Sequence, residues 1–115
     1  MDVRRMQKLV VAALEDIKAR DIEVFNVTRL TALFDRVIIA SADSTRQVKA
    51  LARSVHDKLK EAGIGAIGVE GEDTGEWVLV DLGAIVVHIM QPAVRSHYNL
   101  EELWGSEARR TRRAA

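Results

Sequence analysis

The stretch "VEGEDTGEWVLVD" gathers Glu70, Glu72, Asp73, Glu76 and Asp81 without one Lys or Arg. Paired carboxylates suit a divalent metal. At strand spacing they hold Mg²⁺ in nucleotidyl-transfer chemistry, where metals clamp the attacking and leaving oxygens. Glu70/Glu72 and Glu72/Asp73 are the candidate pairs. That chemistry also needs a loop that cradles phosphate, usually Gly-Ser before a helix. The corresponding loop, "ASADST", has no Gly, so its backbone approaches phosphate less freely, and Asp43 would repel it. Glu72 and Asp73 also fall in a Gly-flanked turn rather than on a strand, which favours a solvated acidic turn over a metal site.

Other chemistries find little footing. The chain has no Cys, which excludes disulfides, thiolate zinc sites and thiol catalysis. His56, His88 and His97 are separated and make a poor metal set. No G-x-S-x-G elbow marks a serine nucleophile. "GIGAIG" at 63–68 lacks the Lys-Ser/Thr ending of a phosphate loop and follows a helix instead of preceding one. The body has no basic stripe or aromatic ladder for nucleic acid. The residues alone therefore lead to a small α/β binding module, not an enzyme, with no catalytic, cofactor or metal residue and no sequence-specific nucleic-acid partner.

The elements around these residues are legible. With 115 residues, 48% hydrophobic and 30% charged, the chain suits one soluble domain. Seventeen basic and seventeen acidic residues cancel, although four Arg crowd the last seven positions. The N-terminus, "MDVRRMQKLV" followed by charges, reads as neither signal peptide nor membrane span, and a cytoplasmic location with no membrane partner is expected. Met6, Leu9, Val10, Ala13, Leu14 and Ile17 predict a helix over 3–18, capped by Asp2. Strands are predicted at 21–27 and 35–41. "STRQ" at 44–47 is a capping box, with reciprocal bonds between Ser44 and Gln47, and it opens a helix over 45–62 that Gly63 ends. A strand over 66–70 and a turn over 71–75 precede "EWVLVD" and "AIVVHIM", which read as a β-hairpin. Residues 93–104 read as one or two short helical turns, and 105–115 as a disordered basic tail. The expected domain is 1–104, a mixed sheet with helices packed on it.

The hairpin register is open. With Leu82–Gly83 as a two-residue loop, Val78 opposes Val87, Val80 opposes Ile85, and Trp77 opposes His88 across a polar–aromatic face. A three-residue loop would set Trp77 against Val87 and move His88 to the other face. Trp77 is then either a core residue or an exposed anchor, and His88 reads most simply as an interior or rim residue.

The order of these pieces resembles the ribosomal silencing factor family, also called Iojap-related proteins. The resemblance runs through Asp35, Ser44 to Val48 (with an added Thr45), Glu70–Gly71, Trp77 to Asp81, Gly83, Val86 to His88, Arg95, Tyr98, Leu100, Glu101, Leu103 and Trp104, and covers about 2 to 104. It implies a nucleotidyltransferase-like topology without the active site. It also implies binding to the large ribosomal subunit through its fourteenth protein, blocked subunit joining, damped translation under nutrient limitation, and homodimers in isolation. Three positions depart from the pattern: Ala84 for a common Asp, Arg36 after Asp35, and Ala42 for a common Gly. The partner-binding residues that follow from this resemblance are Trp77, Leu79, Asp81, Leu82, Glu70, Glu72, His88, Arg95 and Tyr98. An acidic 70–81 segment would steer the encounter with a basic ribosomal protein. A nucleotidyltransferase relic with residual nucleotide binding is the alternative.

Overall fold

The structure, a computed structural model, describes residues 2–104 and the backbone of 109–113. Helix α1 (Val3–Asp16) starts where the Asp2 carboxylate accepts from the Arg4 amide, and it buries Met6, Val10, Val11, Ala13 and Leu14 along one stripe. Strands β1 (Arg20–Asn26) and β2 (Arg36–Ser41) follow, then α2 (Thr45–Glu61). Ser44 caps α2 by accepting from the Gln47 amide at 3.1 Å. The reciprocal half of the expected capping box differs. The Gln47 side chain accepts from the Asp43 amide and donates to the Ile17 and Lys18 carbonyls, so it ties the start of α2 to the end of α1. At the far end, Ile64 N donates to Leu59 O and Gly63 N to Lys60 O, a Schellman closure at the predicted glycine.

The remaining elements are β3 (Gly68–Glu70), β4 (Trp77–Asp81), β5 (Ile85–Met90), α3 (Pro92–Tyr98), α4 (Leu100–Trp104) and β6 (Arg109–Arg113). The sheet order is β3-β4-β5-β2-β1-β6. Only β2 and β5 run parallel, joined through the α2 crossover; the other pairs are antiparallel. Alternation divides the side chains between two layers. Ile22, Val24, Ile38, Ala40, Val78, Val80, Ile85, Val87 and Ile89 pack with α1 and α2. Phe25, Val37, Ile39 and Met90 form a smaller core on the opposite face, against Phe34, Trp77, Val94, Leu100 and Trp104. The single-domain mixed sheet is the predicted fold class, and residues 93–104 form two helices separated by Asn99 in the left-handed conformation.

Part of the basic tail, Arg109–Arg113, is strand β6. Its backbone pairs with β1 from Ile22↔Arg113 to Asn26↔Arg109. An edge strand needs no apolar period to pair, because the unpaired N–H and C=O groups of β1 are the template. The other positions of the predicted tail, 105–108 and 114–115, lie outside the described residues. Truncation after Trp104 is expected to leave both cores standing and to cost about 1 kcal/mol, since a short ladder's hydrogen bonds are largely offset by ordering entropy. That corresponds to a Tm fall of roughly 4–8 °C. Hydrogen exchange should quicken in β1 alone; unchanged exchange there would rule out the β1–β6 pairing.

Candidate functional site at the Trp77 face

The hairpin turns on Gly83–Ala84, not on Leu82–Gly83. Leu82 N donates to Ile85 O at 2.9 Å, and Gly83 N donates to the Asp81 carboxylate at 2.9 Å. Gly83 has φ +87°, the positive value that the first central position of a II′ turn requires. The pairing is Trp77↔Met90, Val78↔Ile89, Leu79↔His88, Val80↔Val87 and Asp81↔Val86. This is two residues away from the expected two-residue-loop register. A shift of two preserves the faces, so Trp77, Leu79, Asp81 and His88 do share one side, and the three-residue alternative is excluded. Leu82 leaves the loop and packs into the helix-side core at 5% exposure.

Trp77 and His88 are diagonal neighbours joined by a bond that the register makes possible. Trp77 Nε1–H donates to His88 Nδ1 at 3.0 Å. An imidazole that accepts at Nδ1 carries its proton on Nε2 when neutral. Burial holds it there: the His88 pKa falls from 6.5 to about 4 because desolvation penalises the charged ring. Tyr98, at the end of α3, lies with its ring centroid 4.9 Å from that of Trp77 and is 56% exposed. Trp77 is thus partly buried, packed against the smaller core.

Cross-strand pairing extends the face into rows. Glu70, Leu79, His88 and Ile39 align across β3, β4, β5 and β2, while Asp81 aligns with Val86 and Val37. The face therefore grades from carboxylates at the β3 edge to a closed apolar core beneath α3 and α4. Gly71 secures the entry to β4: a Cβ there would stand 2.0 Å from the Trp77 carbonyl oxygen, and its φ is +89°.

The structure brings Trp77, Leu79, Asp81, Glu70, His88 and Tyr98 together. It separates the others. Glu72 lines a shallow cleft with Ala52, Arg53, His56 and Asp57 on the α2 side. Arg95 is buried, with its guanidinium occupied by Asp21 O at 2.7 Å, Ser41 Oγ at 2.8 Å, Glu101 at 3.2 Å and Glu23 at 3.4 Å. Sequence reasoning missed Glu23, which is fully buried. Its signal was present, because alternation in "DIEVFNV" sets it on the same face as Phe25, where a carboxylate needs a partner. The Phe34–Trp104 edge-to-face pair, with centroids 5.9 Å apart, was also missed, since 70 residues separate its members. In the loop before α2, Asp43 pairs with Arg20. Among the described residues no three His, Asp or Glu converge as a metal set. This arrangement offers anchoring: a fixed aromatic, a neutral imidazole that orients it, and flanking carboxylates.

The His88 environment has a pH consequence. Its folded-state pKa lies below the unfolded value, so on acidification the unfolded chain takes up the proton first. Stability is therefore lost as pH falls from 6.5 towards about 4, by on the order of 3 kcal/mol at most. His88→Gln keeps an acceptor for the indole and removes the titration. Urea unfolding should show the parent losing stability faster than this variant across that window; parallel profiles would refute a desolvated imidazole.

Comparison with known proteins gives the site its context. The family model described as "Ribosomal silencing factor during starvation" matches residues 1–114. The chain is 55% identical over 107 residues to the ribosomal silencing factor RsfS of Chromobacterium violaceum, covering 93% of this chain and 88% of that one. A crystal structure of a Chromobacterium violaceum protein superposes with a TM-score of 0.90 at 56% identity, over 91% of this chain and 88% of that chain. A more distant relative, the mouse "Mitochondrial assembly of ribosomal large subunit protein 1", is 34% identical over 99 residues, spanning 84% of this chain and 43% of that protein. The mixed sheet, the hairpin with Trp77 and the two short helices therefore carry a family assignment: the chain belongs to the ribosomal silencing factor family.

Proposed function

We propose that the Trp77 face docks on the large ribosomal subunit, through its fourteenth protein, and thereby keeps the small subunit from joining. Translation is damped by occupancy and not by a covalent step. The observation that carries this reading is the state of Trp77. Trp77 is packed on the smaller core and held by His88 and Tyr98, yet the residue stays partly accessible on the face that carries Glu70 and Asp81. Aromatic anchors of this kind dominate interface energetics. Glu70 and Asp81 beside it suit a basic protein set in an RNA surface, where charge complementarity raises the association rate. The family supplies the ribosomal context, and the name of the mouse relative supports the large subunit as the partner. The action belongs in the cytoplasm, where the ribosome is met. Without ribosomes the same apolar face would pair two copies.

The body measures 34 × 33 × 24 Å. Even its thinnest dimension exceeds the close contacts that bridge two rigid subunits, so simple occupancy obstructs joining. The nucleotidyltransferase alternative has less support, because Asp43, in the loop that would hold phosphate, pairs with Arg20 of β1, and Glu72 stands towards α2. Nucleotide with Mg²⁺ should leave the melting temperature unmoved, whereas a ligand at a hundred times its Kd would add roughly 2.7 kcal/mol.

Trp77→Ala is expected to remain folded and to bind isolated large subunits at least about thirtyfold more weakly, the loss of a central anchor worth on the order of 2 kcal/mol. A purely core Trp would instead take roughly 3–5 kcal/mol from stability. Circular dichroism melting and co-sedimentation separate the two.

In sucrose gradients the protein should deplete joined ribosomes in proportion to its dose while both subunits stay intact. Preincubation with the large subunit should strengthen the effect, and preincubation with the small subunit should not. Equal co-sedimentation with joined ribosomes and free large subunits would sink the obstruction model.

A further inference from the structure

Helix α3 has an unusual attachment. Its seven residues, "PAVRSHY", contain no apolar stripe, and its one buried residue is Arg95. Val94 adds a partly buried contact to the smaller core. The N-terminal end is tethered at Gln91, whose backbone amide donates to Glu76 O at 3.0 Å and whose side chain donates to Gly75 O at 3.2 Å. Towards the C-terminal end the tether is the Arg95 guanidinium. Nη1 donates to Asp21 O of β1 and to Ser41 Oγ of β2, Nη2 faces the buried Glu23 carboxylate, and Nε donates to Glu101 of α4. One side chain thus reaches two strands and the next helix.

Tyr98 follows Arg95 by three residues, so the two are neighbours on successive turns of α3. The Tyr98 ring rests against Trp77, which is also bonded to His88 and packed on the smaller core. Tyr98 itself is more than half exposed, and its ring meets, besides Trp77, that of His97 on the same helix at 4.9 Å. The place of its ring follows the place of α3, which Gln91 holds at the N-terminal end and Arg95 towards the C-terminal end. We propose that Arg95 is a positioning residue for the binding face. Its buried fork seats α3 so that Tyr98 braces Trp77 in the orientation that the ribosomal partner meets. A fork that satisfies several fixed acceptors at once defines a direction as well as a distance, which an ammonium on a flexible stem does not. Arg95 then contributes to binding without touching the partner. This deepens the function proposed above and rests on it for the identity of the partner, although the effect on Trp77 can be read without any ribosome.

The test uses a Trp104→Phe background, in which Trp77 is the sole indole. Arg95→Lys keeps a positive charge opposite Glu23 and loses the fork. Ser41→Ala removes one acceptor, leaves every charge in place, and carries the same readout if Arg95→Lys does not fold. Acrylamide quenching and near-UV circular dichroism then report the Trp77 environment, while hydrogen exchange in α1 and α2 reports the main core. The expected result is a Trp77 more open to quencher, moved towards the value in Tyr98→Ala, with exchange in α1 and α2 unchanged. Affinity for isolated large subunits should fall about tenfold, and the loss should not add to that of Tyr98→Ala, because residues acting through one another are non-additive. A folded variant with unaltered Trp77 quenching overturns the proposal, as do losses that simply add. Should Trp77→Ala and Tyr98→Ala bind normally, the assignment of this face as the docking surface fails, and the quenching result still decides whether Arg95 seats Tyr98 on Trp77.

Discussion

The parallel ladder between β2 and β5, from Arg36↔Ile85 to Ser41↔Met90, is the constraint on which the other arrangements depend. Parallel neighbours cannot be joined by a tight turn, so the chain must leave the sheet after β2 and return through α2. That excursion covers one face with the longest helix, and α1 lies beside it. Because β5 is central, it feeds both cores: Ile85, Val87 and Ile89 go under the long helices, and Met90 goes to the smaller cluster. His88 is left at the boundary of that second face, directly opposite Leu79 and beside Ile39. The site is what remains where the second layer stops short of the sheet edge.

The two faces are stabilised differently. On the helix side, close-packed aliphatic side chains suffice, and few polar groups intrude. On the other side α3 and α4 are too short to bury a full stripe, and polar contacts take part of that role. The Arg95 cluster is the clearest case. Removing one member of a buried ion pair costs roughly 3–5 kcal/mol, whereas replacing both with apolar groups is often neutral. What such a cluster adds to this fold is therefore the angle and position of α3 rather than net stability. The Trp77–His88 bond works in the same way, since a partly buried, neutral imidazole is an acceptor of fixed direction.

This division suits a protein whose family is described by an effect on the ribosome. A binding face gains when its anchors are already ordered, because less side-chain entropy is lost on association. The aromatic pair of Trp77 and Tyr98 sits over a rigid sheet, and the carboxylates of Glu70 and Asp81 stand on paired strands instead of free loops. The Asp81 carboxylate also accepts from Gly83 N, which fixes the turn beside it.

Local physics made much of this legible in advance. Helical periodicity located α1 and α2, Ser44 marked the start of α2, and Gly63 marked its end, because caps and stripes depend on residues within one or two turns. Alternation placed Trp77, Leu79 and Asp81 on one face, but the face of His88 depended on the loop length, and the two-residue turn at Gly83–Ala84 sets it beside them. Pairing distant elements was beyond such rules. Nothing local says that Arg95 reaches Asp21, Glu23 and Ser41, or that Leu82 closes a core instead of exposing a loop. Nor does a run of arginines without apolar period reveal that 109–113 will satisfy the edge of β1, since edge pairing uses backbone groups that every residue carries. The chain by itself determined its long helices, its inner strands and its family pattern. The tertiary structure alone decided which polar side chains are enclosed and how α3 sits, because burial and ion pairing depend on what other parts of the chain bring to the same place.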